Sequence, residues 1–394
     1  MLKNTKAFIR HKPSIRLGFL LSIGSLLVGI WVAALPAIKH RLGFTDGSLG
    51  LSLLLSPAGS LTGVWLSSKL FSRIQVGRWL ATGPFIQCFL FVIMIVVQTR
   101  PVFWVVLYFI GMVGFFNGVS INAVIDMIEK KYQRKIMSSC HGMYSLGGGV
   151  SAGLAFIFYS VHLAPALQIG LVAVSIICVL VIIRPHLLSY KSFIHSGSSL
   201  TAPPVSIIGL AFICFVTFMG EGSIADWSAI YLKESMHSTA ALASLGYAGF
   251  SVMMAVGRFN GDTLVPKTGP KKVVIAGSLI AATGFMLVIF PPFQATAVLG
   301  FTIVGFGYSC IVPILFSTAA NVPGVSPAQG IASIASGGLI GFLFGPSVIG
   351  MISEKINLSA GLSFVLTLSL VSAIVASRNK FLATDTNSSF IELT

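Results

Sequence analysis

Apolar residues run through this chain in long continuous blocks separated by short polar stretches. The blocks cover 17–37, 47–70, 79–98, 102–127, 136–160, 165–183, 205–232, 240–264, 273–291, 295–318, 328–352 and 359–377. A helix that crosses hydrocarbon needs about 20 residues, and each block supplies roughly that. A β-barrel would alternate apolar and polar positions, and these runs do not. The pattern predicts an all-α integral membrane protein of twelve transmembrane helices. The longest polar connection, 185–204, is rich in Ser and Pro and ends in Pro203-Pro204, a linker composition. It predicts a six-helix bundle over 1–184, a linker over 185–204, and a second six-helix bundle with a polar tail over 205–394.

A weak internal repeat supports two pseudo-symmetric halves. At a shift of 194 positions, Thr45 meets Thr239, Gly63 meets Gly257, Leu70 meets Leu264 and Arg73 meets Lys267. Arg78 meets Lys272, Ser139 meets Ser333 and Gly147 meets Gly341.

Composition agrees with a membrane protein: 55% of residues are hydrophobic and 9% charged, against about 25% charged in soluble proteins. The net charge of +15 would suggest nucleic acid, but its distribution sets orientation instead. With the N-terminus inside, the inner segments hold 20 of the 25 Lys and Arg, and Lys39, Arg41, Arg100, Lys233 and Lys355 fall outside. That is the positive-inside pattern. It predicts a bacterial inner-membrane protein with both termini cytoplasmic, an inner face against anionic lipid, and no nucleic-acid partner. The five cysteines lie in or beside apolar runs without a CxxC, so no metal, cofactor or disulfide framework is expected.

Candidate chemistry concentrates in 205–234. Only ten acidic residues occur in the chain, and two, Glu221 and Asp226, fall within the apolar block 205–232. A carboxylate in hydrocarbon is costly and faces a bundle interior or a wet cavity. Glu221 lies about 24 Å along the helix from Val205 at 1.5 Å per residue, inside the hydrocarbon, where burial disfavours its charged form. It is the candidate proton-coupling group, with Gly220 and Gly222 expected to loosen the backbone around it. The alternative is a permanently protonated acid hydrogen-bonded to a carbonyl. No basic residue is evident in the facing spans. Asp226 and Trp227, about 31 Å along, are expected at the outer interface, where Trp is favoured.

Between the eighth and ninth spans stand Gly257, Arg258, Gly261, Asp262, Gly269, Lys271 and Lys272. Their spacing resembles the cytoplasmic signature loop of the major facilitator superfamily; in the first half Ser68 replaces the acid and Gln75 a glycine. Gly29-Ile30-Trp31, Asn122, Met137 to Gly142, Ser145 to Gly148, Glu221-Gly222, Asp226-Trp227, Pro313, Gly341 to Leu343 and Gly345-Pro346 are similar to a YbjJ-like branch near the fucose permeases. The resemblance implies alternating access, with the first, fourth, seventh and tenth spans lining a cavity. By that mapping Trp31, Asn117, Asn122, Glu221 and Tyr308 are cavity candidates. Trp31 can stack on a sugar face or pack between helices. Asn117 and Asn122 are about 140° apart around a helix, so one of them faces the cavity. His141 and Ser145, one turn apart near the inner end of the fifth span, can relay protons or bond neighbouring helices. Asp262 is the candidate cytoplasmic latch.

The sequence thus points to a monomeric secondary transporter of a small polar solute coupled to protons. An exporter of the same fold and a non-transporting membrane sensor are the alternatives. No GxxxxGK[ST] or HExxH supports an enzyme.

Overall fold

Twelve long helices carry the chain in the computed structural model, which describes residues 8–133, 136–193 and 203–383. They are α1 (Lys12–Arg41), α2 (Asp46–Phe71), α3 (Val76–Val96), α4 (Arg100–Tyr132), α5 (Met137–Ser160) and α6 (Pro165–Leu187). The second set is α7 (Val205–Ser235), α8 (Ala240–Thr268), α9 (Pro270–Ile289), α10 (Gln294–Ala319), α11 (Pro327–Lys355) and α12 (Leu358–Arg378). Eleven of them are apolar enough to cross a membrane by composition alone. The exception is α5, which carries Ser138, Ser139, His141 and Ser145 among its apolar residues. Lys3, Lys6, Arg134, Lys135, residues 194–202 of the 185–204 connection and the tail beyond Ala383 lie outside the described residues.

Helix pairing repeats between the halves. In the first, α1 packs on α5, α2 on α4 and α3 on α6; in the second, α7 packs on α11, α8 on α10 and α9 on α12. The 194-residue repeat falls on equivalent places. The Thr45 hydroxyl caps α2 by accepting from Ser48 N, and the Thr239 hydroxyl caps α8 by accepting from Leu242 N, each satisfying an orphan helix-end donor. A methyl group at Gly147 would stand 2.8 Å from Ser22 O of α1, and one at Gly341 would stand 2.2 Å from Phe215 O of α7. Small residues let helix backbones approach closely where there is no hydrophobic drive between them.

That closeness gives a test of the packing. A methyl at Gly111 of α4 would lie 1.8 Å from Ser56 O of α2, a backbone atom that cannot swing aside, whereas one at Gly153 meets nothing within 4 Å. Gly111→Leu should cost at least the ~1–3 kcal/mol of overpacking and lower the thermal midpoint in detergent by several degrees. Gly153→Ala should leave it unchanged. Equal midpoints for the two variants would refute the close α2–α4 contact.

The halves meet along α5 against α8 and along the first turns of α2 against α11. A methyl at Gly142 would touch the Phe259 ring at 2.9 Å, one at Gly149 would reach Val252 N at 3.0 Å, and one at Gly50 would reach Gly350 Cα at 3.1 Å. Beyond a turn at Leu54, α2 leaves α11 and lies on α4 instead. The end of the molecule that carries the α1–α2, α7–α8 and α11–α12 turns is therefore closed. There Lys39 Nζ of α1 lies 2.5 Å from Asp46 Oδ1 of α2 and also pairs with Glu234 at the end of α7. The Ser353 hydroxyl of α11 donates to Asp46, and Glu354 accepts from Gly47 N at 2.9 Å.

Candidate functional site

The helix α7 is unbroken from Ile208 to Ile230, so the glycines beside Glu221 do not loosen it. Gly220 makes room for a ring instead, since a methyl there would lie 2.3 Å from Tyr308 of α10, whereas one at Gly222 would sit at ordinary contact distance, 3.5 Å from Phe342 of α11. Glu221 of α7 faces a cation of α8. Arg258 Nη2 stands 3.5 Å from Glu221 Oε1, with side-chain exposures of 13% and 20%. This corrects the expectation that the facing spans hold no basic residue. Arg258 looked like part of a loop because it precedes Gly261-Asp262. In the structure α8 continues to Thr268, and the turn is the single residue Gly269, whose φ of +86° suits glycine. Arg258 is therefore ten residues inside the helix end, about 15 Å.

Arg258 also ties the halves together. Its Nη1 donates to Ser145 Oγ at 2.8 Å and to His141 O at 3.5 Å, both on α5, while Ser138 Oγ donates to Arg258 O at 3.5 Å. Ser145 in turn donates to His141 O at 3.3 Å. His141 thus serves through its backbone, and its ring makes no hydrogen bond among the described residues. The pairing between Arg258 and Glu221 is loose: Glu221 Oε1 is buried and has no hydrogen-bond partner among the described residues. Tyr144 of α5 lies within electrostatic reach of both charges, and Tyr247 of α8 within reach of both Glu221 and Asp226. Neither tyrosine stands out in the sequence: Tyr247 sits in an ordinary apolar run, and Tyr144 lies between the more conspicuous His141 and Ser145.

Other candidates separate. Asn117 joins α4 to α3, accepting from Trp79 Nε1 at 2.9 Å and donating to Gln87 Oε1 at 2.6 Å. It lines a cavity of about 240 Å³ with Ser56, Ser60, Gln87 and Tyr144. Asn122 is not in that wall, and its Oδ1 is buried without a hydrogen-bond partner among the described residues. Trp31 is buried, its ring 6.1 Å from that of Phe103. Tyr308 is fully buried and shares a 2.6 Å hydrogen bond with Ser369 Oγ of α12. Of the signature residues, Gly257 admits Ser309 of α10, Gly261 faces Cys310, and Lys271 and Lys272 open α9. The Asp262 side chain lies outside the described residues. A larger cavity, about 610 Å³, opens between α1, α5 and α6 beside the exposed Phe19 and Ile182, away from Glu221.

Asp226 and Trp227 lie in the upper part of α7, and Trp227 faces protein. Trp227 is fully buried, with Gly350 of α11 beneath its ring, so it is not an interfacial belt residue. Its Nε1 has no hydrogen-bond partner among the described residues. Asp226 is eight residues before Glu234, about 12 Å along the helix below the Lys39 cluster. The apolar face that buries Trp227 is built by α11, more than a hundred residues away, and α7 alone does not reveal it.

Comparison with known proteins follows the same lines. A family model described as the Major Facilitator Superfamily matches residues 17–329 and 210–389. An uncharacterized MFS-type transporter of Yersinia pestis is 33% identical over 93% of this chain and 95% of its own length. An uncharacterized transporter of Sinorhizobium fredii is 30% identical over 86% of this chain and 89% of its own. The crystal structure of the nucleoside transporter NupG superposes with a TM-score of 0.69, covering 94% of this chain and 98% of that one at 14% identity. At that identity the likeness speaks for the fold alone.

Proposed function

Because this chain belongs to the Major Facilitator Superfamily, we propose that it carries a small polar solute together with a proton by alternating access, with Glu221 as the proton-carrying group. The observation that carries this is the loose pair of Glu221 and Arg258, whose arginine also grips α5 of the other half. An ionised Glu221 holds Arg258 by charge. A protonated one does not, and Arg258 is then free to turn toward a solute or toward α5. Since α5 and α8 form one of the two main contacts between the halves, the charge on Glu221 is read directly by a surface along which they rock.

The end closed by Lys39 is the outer one by the distribution of Lys and Arg. The described conformation is then closed to the outside. In this scheme the protein works as a monomer, since Arg258, Glu221, Ser145 and the cavity around Asn117 all belong to one chain.

Purified protein in proteoliposomes, given a panel of labelled polar solutes with and without an inward proton gradient, tests the proposal. At least one solute should accumulate only when the gradient is present. Uptake that reaches the same level without a gradient would contradict proton coupling. A simpler variant checks the wall of the cavity: Asn117→Ala removes both the Trp79 and Gln87 bonds. It should weaken solute binding roughly tenfold or more, as the loss of about 1–3 kcal/mol from buried polar groups left unpaired. An unchanged half-saturation concentration would take this cavity out of the solute path.

A further inference from the structure

Arg258 has more hydrogen-bonding capacity than its surroundings use. A guanidinium carries five N–H donors in a planar fork. Here Nη1 reaches Ser145 Oγ and His141 O, and Nη2 faces Glu221 at 3.5 Å without a hydrogen bond. The remaining N–H groups find no acceptor among the described residues. Opposite stands a buried carboxylate oxygen that also lacks a hydrogen bond. A fork held this loosely suits exchange of one carboxylate for another, since arginine binds carboxylates through two parallel N–H bonds.

The charges of the site favour the same class of solute. With the site empty, Glu221 and Arg258 cancel. With a proton on Glu221 and a carboxylate on Arg258, the site again sums to zero. A proton alone leaves Arg258 unpaired, and an anion alone leaves two carboxylates facing one arginine. Unpaired charge in a low-dielectric interior is strongly disfavoured, so the two neutral forms are the ones able to reorient. A neutral solute carried with a proton would instead strand Arg258. Asp226 adds the same charge to all four forms and does not alter the comparison.

We infer that the solute is a small hydroxylated monocarboxylate, bound through its carboxylate to Arg258 and carried with one proton on Glu221 in an electroneutral step. The inference rests on the role proposed for Glu221 and adds the substrate class. No bond other than O–H is made or broken: the proton enters on Glu221 and leaves from it. The hydroxylated body is assigned to the cavity of Ser56, Ser60, Gln87 and Asn117, whose wall includes Tyr144, the residue before the Ser145 that Arg258 holds. The titratable groups facing Glu221 are Arg258 and Tyr247 of α8, Tyr144 of α5, Tyr308 of α10 and Cys214 of α7, with His141 of α5 behind Arg258.

The test uses the full chain in proteoliposomes with labelled gluconate, galacturonate and lactate, and with glucose, galactose and lactamide as uncharged counterparts. A carboxylate should accumulate about tenfold per unit of inward pH gradient, with no response to an imposed membrane potential, while its uncharged counterpart stays at equilibrium. Arg258→Lys should raise the half-saturation concentration at least tenfold, because a lysine cannot form the fork. Accumulation of an uncharged counterpart would overturn the substrate class and leave proton coupling standing. Carboxylate uptake indifferent to the pH gradient would overturn the role of Glu221 and leave the substrate class standing. Carboxylate uptake driven by membrane potential would overturn the electroneutral step. The comparison between solutes is made in the unaltered protein, so it does not depend on the folding of any variant.

Discussion

The Glu221→Gln protein, reconstituted in vesicles, is expected to exchange its solute at equal concentrations on both sides yet to lose all accumulation against a gradient. Glutamine keeps the size of the side chain and most of its hydrogen bonding but cannot titrate. It mimics the protonated acid permanently. Arg258, at 3.5 Å, then has no counter-charge except the solute. The loaded form remains neutral and able to reorient, whereas the empty form carries an unpaired buried arginine. Breaking one side of a buried pair costs about 3–5 kcal/mol. That slows the return of the empty form by two orders of magnitude or more, at about 1.4 kcal/mol per tenfold. Exchange avoids the empty form and survives. Net uptake needs it and fails. The unaltered protein should reach about a tenfold concentration ratio per pH unit at one proton per solute, and the variant should stay at one. Accumulation by Glu221→Gln with unaltered pH dependence would remove Glu221 from the coupling.

Lys39→Met should open the other end of the molecule. Lys39 is nearly buried, with a side-chain exposure of 9%, and holds Asp46 of α2 and Glu234 of α7 at once. It thereby joins the two halves where α2 also meets α11. An exposed ion pair is worth up to about 1 kcal/mol, and breaking a buried one costs about 3–5 kcal/mol. The partial exposure of Asp46 and Glu234 puts this triad between those limits. Its loss should raise the population open at this end roughly tenfold. Ser347 reports it, because its hydroxyl donates to Gly50 O inside the α2–α11 contact at 2.9 Å. With the native cysteines replaced by alanine, Ser347→Cys should react slowly with a membrane-impermeant maleimide applied from outside cells. Adding Lys39→Met should speed that reaction about tenfold. Glu234→Gln should have a smaller effect, since Glu234 is the most exposed of the three. Equal labelling rates with and without Lys39 would refute the latch.

The helices were legible in the sequence because a continuous apolar block of spanning length suits a bilayer crossing and little else, and each block corresponds to one helix. The repeat was legible because Thr45 and Thr239 cap equivalent helices and Gly147 and Gly341 sit at equivalent contacts. Glu221 stood out for a related reason: an acid in an apolar run has to be accounted for. Its partner did not stand out. Arg258 falls within the eighth apolar block but lies beside a glycine-aspartate pair that marks a helix end in the signature pattern, and the extra turn that carries α8 from 264 to Thr268 leaves no mark in composition. The Lys39 cluster was invisible because its members are up to 195 residues apart and each, taken alone, looks like an ordinary charge near a helix end. Trp31 and Trp227 were ambiguous in a shared way. An aromatic ring in an apolar helix is compatible with solute, lipid or another helix, and only Phe103 and Gly350, supplied by distant helices, make the choice.

Proton movement during solute entry tests the central claim most directly. Vesicles containing the purified protein and a trapped pH-sensitive dye, with no gradient imposed at the start, are given solute from outside. The account predicts that the lumen acidifies as solute enters, one proton for each molecule, and that Glu221→Gln abolishes the acidification. Solute entry at an undiminished rate with no change in lumenal pH would contradict it.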